Sequence, residues 1–253
     1  AGGIGALFRQ PYLGTVSLFA GVKGQSFDPQ TASLTLQARV TQVEINRYNY
    51  RNIIAEGVLG QKKFRGNLMV DDPNLALAFD GEIDFSRIKQ LSFNARANLL
   101  QSNLKALNLT HDSVQVAADF DLNCTGSNLD DFYGYAKLYN INLIRNSDRA
   151  DLDSIFVLAT DDGAHKTLSV ESNALTASLR GNYQLSRLGY SAQYYLYGYL
   201  PNYIPAPTEE APDQNLEFDV VTRNIDKLLT VMTPAVRGFN NARLNGVLNT
   251  TAQ

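Results

Sequence analysis

The sequence predicts a mainly β protein, an antiparallel meander with one apolar face, interrupted by two or three short helices. Two observations carry this: apolar and polar residues alternate along most of the chain, and the segments that alternate are joined by short stretches of turn residues. Between Val114 and Cys124 the even positions Val114, Val116, Ala118, Phe120, Leu122 and Cys124 are apolar, while Gln115, Asp119, Asp121 and Asn123 are polar. That is the pattern of a strand with one wet face. It recurs at Leu34 to Val40, Phe64 to Val70, Leu75 to Phe85, Phe93 to Leu99, Ala136 to Leu138, Ile155 to Ala159, Leu168 to Val170, Leu175 to Leu185, Leu216 to Val220 and Ala242 to Leu248. A parallel sheet covered by helices on both sides would instead show unbroken apolar runs.

Turn chemistry links these strands at Gln61-Lys62-Lys63, Asp72-Pro73-Asn74, Asn146-Ser147-Asp148, Asp161-Asp162-Gly163 and Ser172-Asn173. Phe64 to Val70 and Leu75 to Phe85 thus form one hairpin, with Pro73 where a fixed φ is wanted. In that register Asp80 and Asp84 point away from Phe79, Ile83 and Phe85, so these carboxylates belong to the solvated side.

Three places break the alternation. Ser102 to Leu107 reads as one helical turn capped by Ser102 or Asn103. Tyr190 to Leu200 is a Tyr-rich helix closed by Pro201 and followed by a Pro-rich loop. Asn224 caps an amphipathic helix with Ile225, Leu228, Leu229 and Met232 at helical spacing, stopped by Pro234. A further regularity sits in the apolar register: an apolar-x-Gly-x-apolar pattern at Phe64-Gly66-Leu68, Phe79-Gly81-Ile83, Phe132-Gly134-Ala136 and Leu179-Gly181-Tyr183, with shorter copies around Gly57 and Gly246. Glycine weakens a strand interior, so its recurrence there implies either a bend toward the apolar face or bulges in a sandwich.

Composition narrows the function. Residues 1–253 read as a single segment, with 201–214 as the one candidate sub-boundary; 44% of residues are apolar and 19% charged, ordinary for a folded chain. A net charge of -3 provides no basic footprint for nucleic acid. A single cysteine, Cys124, leaves no internal disulfide and no Cys-rich zinc site, and in the apolar register it reads as a small hydrophobe. No run is long and apolar enough for a spanning helix. The chain opens without Met or a signal-peptide pattern, as expected of a piece of a longer protein.

Catalytic patterns are missing. The two histidines, His111 and His165, lie in turn-like segments outside any nucleophile or metal-ligand motif. Gly2-Gly3-Ile4-Gly5 lacks the strand and the later glycine of a dinucleotide loop. The pairs Asp71-Asp72, Asp130-Asp131 and Asp161-Asp162 lack the ligand offsets of a calcium loop and read as turns. No catalytic, cofactor or metal residue is therefore nominated, and no enzyme activity is expected.

A sheet of about a dozen strands with one apolar face must hide that face, either by folding over itself as a sandwich or by curling into a trough that holds something else. Alternation alone leaves both open. The positions that would line a trough are Phe64, Leu68, Val70, Leu75, Leu77, Phe79, Ile83, Phe85, Val114, Val116, Phe120, Leu122, Leu179 and Leu185; a closed sandwich would use the same residues as core.

The stretches YNYRNIIAEGVLGQKKFRGNLMVDDPNLALAFDGEIDFS, LNLTHDSVQVAADFDLNCTGSNLDDFYGYAKLYNINLIR and YLPNYIPAPTEEAPDQNLEF with LLTVMTPAVRGFNNARLNGVLNT resemble the repeat region of TamB-type translocation and assembly module proteins of the AsmA superfamily, in the large form found in Bacteroidetes. Ser127 stands where that pattern has a glycine. The resemblance implies an elongated sheet curled into a taco-like hydrophobic groove. It also implies a periplasmic body anchored to the inner membrane outside this segment, phospholipid acyl chains as cargo, and a TamA/BamA-class outer-membrane barrel as partner. The implied functions are phospholipid movement between the membranes and support of outer-membrane protein assembly, without a cofactor. A filled β-sandwich acting as a spacer or docking module for the barrel is the competing expectation.

Overall fold

The computed structural model describes residues 2–3, 13–24, 33–87, 90–128, 130–209, 213–232 and 238–250. Fourteen strands lie side by side in chain order in one antiparallel sheet. They are β1 (Gly2–Gly3), β2 (Leu13–Gly24), β3 (Ser33–Ile45), β4 (Tyr48–Gly60), β5 (Lys63–Asp72), β6 (Leu75–Asp84), β7 (Leu91–Ser102), β8 (Val114–Gly126), β9 (Tyr133–Arg145), β10 (Asp148–Asp161), β11 (Lys166–Ser172), β12 (Leu175–Asn182), β13 (Asn215–Thr222) and β14 (Arg243–Asn249). The sheet is open, with β1 and β14 at its edges, and each strand pairs only with its neighbours in the chain. Helix α1 (Leu188–Tyr199), led by a 3-10 turn at Leu185–Arg187, follows β12, and α2 (Asp226–Met232) follows β13. Ile4, Gly5 and Pro234, named above, lie outside the described residues.

The short alternating segments of the sequence are parts of longer strands. Asn52 in β4 and Asn140 in β9 have positive φ (51° and 53°), a conformation Asn tolerates better than most residues. At Asn140 the pairing of β9 with β8 shifts by one residue, from Ala117↔Asn142 to Asp119↔Tyr139, while its pairing with β10 keeps the same register on both sides. At Asn52 the pairing of β3 with β4 steps from Val40↔Ile53 to Gln42↔Arg51. Each irregularity shifts the phase of alternation, so Tyr48 and Tyr50 share a register with Ile53, and Ile141 and Leu143 with Leu138.

Turns close the hairpins as their residues suggest. Asn46–Arg47 and Gln61–Lys62 hold positive φ at both residues, the geometry that matches strand twist. The Pro73–Asn74 turn is fixed by Asp72, whose Oδ1 accepts the Asn74 N–H at 2.9 Å. Asp72 is not a solvated turn residue: it is 2% exposed and also accepts the Tyr48 hydroxyl at 2.5 Å and the Arg51 N–H at 3.0 Å. Ser102 to Leu107 forms the expected single helical turn, the Leu107 N–H donating to the Asn103 carbonyl at 3.0 Å. Asn103 Oδ1 accepts the Ala106 N–H at 3.2 Å, while Ser102 is buried and donates to the Val116 carbonyl at 2.8 Å. The Asp226 N–H at the start of α2 donates to Asn240 Oδ1 at 2.9 Å, a cap supplied from across the loop where Asn224 was expected, and Met232 is exposed instead of facing the core.

Two buried clusters cover part of the apolar face. Ile225 and Leu228 of the α2 segment pack on Ala118, Ile141, Leu152 and Ala174. At the opposite rim Tyr183, Leu216 and Leu248 are buried with Leu185, Leu188 and Tyr195 of the α1 region around them.

Candidate functional site

The apolar register forms continuous rows running across the strands. One row passes through Leu59, Phe64, Ile83, Phe93 and Cys124. A second joins Ala55, Leu68, Phe79, Ala97, Phe120 and Leu138. A third joins Ile53, Val70, Leu77 and Leu99. Alternation on each strand puts these side chains on one face, and facing pairs sit close enough to make a connected apolar surface.

Between the first two rows lies a row of small residues: Gly57, Gly66, Gly81 and Ala95 stand directly opposite one another on β4 to β7. A Cβ on Gly66 would fall 2.1 Å from the Glu56 carbonyl oxygen and 2.6 Å from Gly57 Cα. On Gly81 it would fall 2.4 Å from the Asn94 carbonyl oxygen. These three atoms are backbone of the adjacent strand, and at Gly81 the Ala95 Cβ is equally near, at 2.4 Å. The face is therefore creased along this row, and at Gly57, Gly66 and Gly81 only a residue without a side chain permits the approach. Three copies of the recurring Gly, Gly57, Gly66 and Gly81, thus fall at one level on successive strands, where the backbones come close. Gly134, with φ of 108° and a Cβ position 2.3 Å from the Asn123 carbonyl oxygen, continues the bending on β9 one row away, opposite Cys124.

The nominated lining residues divide into two groups. Phe64, Leu68, Leu75, Leu77, Phe79 and Ile83 are half-buried on β5 and β6, and Phe85 is half-buried just beyond β6, its N–H donating to the Lys62 carbonyl. Val70, at 6% exposed, is the one among them that is buried. Val114, Val116 and Leu122 are half-buried on β8. Phe120, Leu179 and Leu185 instead abut the helix-covered clusters. Sequence reading missed Ile53, Ala55 and Leu59 on β4 and Phe93, Ala97 and Leu99 on β7 as part of the same surface; their alternation was visible, and only the strand order shows that they adjoin it.

Over β3 to β7 the apolar register is lined but sparsely filled: the only hydrophobic residues buried there are Val70 and Ala95, whereas a closed core would bury most of them. From β8 onward the helices close over it. A cleft of about 320 Å³ remains at the rim beside the α1 turn, between Phe132, Ala159, Leu168, Tyr183 and Lys166.

The other face carries charge pairs across strands, beside exposed apolar residues such as Ile54, Val58 and Met69. Lys63 meets Glu82 at 3.2 Å and Asp84 at 3.0 Å, Arg65 meets Glu82, and Arg243 meets Asp219 at 2.9 Å. Ser86, through its hydroxyl and N–H, and Lys63 hold the Asp84 carboxyl down to about 2. Asn140 and Asn98 lower that of Asp119 by donating to it. Each is a carboxylate whose charged form is satisfied, the reverse of a group poised for proton transfer. Asp80 lines a cleft of about 630 Å³ on this face with Glu56, Met69 and Arg96. Asp161 and Asp162 accept N–H groups of their own turn, and Asp131 those of Ser127 and Asn128. Asp130 ties its turn to Ser186 at 2.8 Å. Among the described residues no group of three or more His, Cys, Asp or Glu is placed to hold a metal ion, and no helix is long and apolar enough to cross a membrane.

Fold and site together define an open, one-faced β-trough with its apolar lining partly uncovered. No protein-family model matches this chain, and no curated protein or solved structure matches it.

Proposed function

We propose that the chain is a section of a periplasmic bridge between the inner and outer membranes, whose trough carries phospholipid acyl chains and supports assembly of outer-membrane proteins. The observation that carries this reading is the contiguous, half-exposed apolar surface over β3 to β7, creased along Gly57, Gly66 and Gly81. Such a surface gains free energy by accepting hydrocarbon, about 0.8 kcal/mol per buried methylene. The charged groups on the other face keep that side in water. The resemblance of the sequence to TamB-type proteins supports the same reading. It adds a TamA/BamA-class barrel at the outer membrane and an anchor in the inner one. Carriage of this kind needs no catalytic residue.

A photo-crosslinking side chain at Leu77 is expected to capture phospholipid in cells, and one at Asp80 is not. Capture at Asp80 alone would sink the proposal. The covered half, where α1 and α2 pack on β8 to β14, favours the second reading, a filled spacer or docking module. In that case the purified chain carries no lipid in native mass spectrometry.

A further inference from the structure

We infer that α2 is a displaceable occupant of the trough, a flap that fills its β8–β12 section until an acyl chain takes its place; this rests on the lipid-carrying reading above. The α2 segment turns Ile225, Leu228 and Val231 inward, at 7%, 7% and 3% exposed. The surface that Ile225 and Leu228 cover, Ala118, Ile141 and Leu152 among others, lies in the same register as the open rows of β4 to β7. With α2 lifted, one apolar face would run from β3 to β12.

The chain is built so that α2 can leave without damage to the sheet. Beneath it the β13–β14 hairpin is already closed: the Thr222 N–H donates to the Ala242 carbonyl at 2.8 Å and the Asn241 N–H to the Arg223 carbonyl at 2.9 Å. The segment that carries α2 therefore leaves from a finished ladder. Its own bonds keep it together. Asp226 Oδ1 accepts the Gly238 and Phe239 N–H groups, each at 3.1 Å, and Asn240 caps α2 as described.

A polar latch holds α2 to the wall. Arg145, at the end of β9, donates through Nη1 to the Val231 carbonyl at 3.1 Å and the Met232 carbonyl at 2.8 Å, and through Nη2 to Asp112 Oδ2 at 2.5 Å. Asp112 thus aims the guanidinium at the carbonyls of the last helical turn, where a cation is favoured. A helix as short as Asp226–Met232 does not persist alone in water, so its order depends on the trough it fills.

Hydrogen exchange of the chain, with and without an oleoyl lysophospholipid below its micelle concentration, tests this. Saturating probe is expected to lower protection of residues 226–232 by about tenfold or more while β9 and β10 stay protected. Arg145→Ala is expected to produce a loss at least as large without probe, about tenfold or more for each of its two charge-assisted bonds, and to tighten probe binding. Leu228→Ala serves as a second variant that leaves the Arg145–Asp112 pair in place, and the same direction is expected. Probe binding with α2 protection unchanged or raised overturns the inference and leaves the lipid reading standing. No binding by wild type or either variant, with no capture at Leu77, removes both.

Discussion

Gly66→Ala is the sharpest perturbation of the crease. The new methyl carbon would lie 2.1 Å from the Glu56 carbonyl oxygen, 2.6 Å from Gly57 Cα and 2.9 Å from the Glu56 carbonyl carbon. All three are backbone of β4, so no side-chain rotation relieves the contact, and β4 and β5 must separate. Overpacking of this kind costs about 1–3 kcal/mol. With the ladder bonds weakened on either side, a loss of ~2–3 kcal/mol is expected, a factor of roughly 30 to 150 in the opening equilibrium. Strands contact only their chain neighbours, so the loss stays local, and amide exchange mapped by peptide is the fitting assay: β4 to β6 lose protection while β11 to β14 keep theirs. Gly189→Ala is the control of opposite sign. Nothing lies within 4 Å of its Cβ position and it is helical, so about 0.5–1 kcal/mol of stabilisation is expected in α1. If Gly66→Ala leaves β4 to β6 as protected as in wild type, the crease is not what the glycines are for.

Three further outcomes are expected. Cys124 lies half-buried in the apolar row between Phe93 and Gly134, and burial pushes its thiol up. Maleimide modification should be slow near neutral pH, quicken as the pH rises, and slow again when a lysophospholipid occupies the trough; an unchanged rate with probe bound would show that this row is not the lining. Asp84, held at about 2 in the fold against about 3.9 when unfolded, favours folding when ionised. Its contribution is complete above the unfolded value and is lost as the pH falls from about 4 to about 2, and an NMR titration of the carboxyl should move upward in Ser86→Ala. Leu216→Ala, at a position 2% exposed beneath α1, should cost about 2–5 kcal/mol, read as early loss of protection in β13 and α1 while β4 to β6 are unaffected.

Most of the sheet was legible because a side-chain period of two is strictly enforced wherever one face is apolar. What was lost was phase. A reader following alternation along β9 sees Ala136 and Leu138, then Ile141 and Leu143 on odd positions, and stops; the left-handed Asn140 accounts for the slip. Asn52 hid most of β4 the same way, and the irregularity around Asp153 shortened β10 to its second half. Asp72 misled for another reason. Asp-Pro-Asn is turn chemistry, and the turn is there, but the partner that buries the carboxylate, Tyr48, lies on β4 and nothing local announces it. The lining residues of β5 and β6 were identifiable because hairpin partners are adjacent in the chain. That the α2 segment lies over β8 to β12 required the fold, since its seat is built from residues far back in the sequence.

Strict chain-order pairing also makes the sheet a ruler. At about 4.8 Å between neighbouring strands, fourteen strands measure out roughly 60 Å, and every added hairpin lengthens the trough by a fixed step of about 10 Å without touching a contact already made. Each closure spans only the few residues of a hairpin, so little chain entropy is spent at any one time, and folding can advance strand by strand from whichever part is available first. Span is thereby written directly in residue number: a chain with this order of strands can be tuned to a gap of given width by insertion or deletion of hairpins.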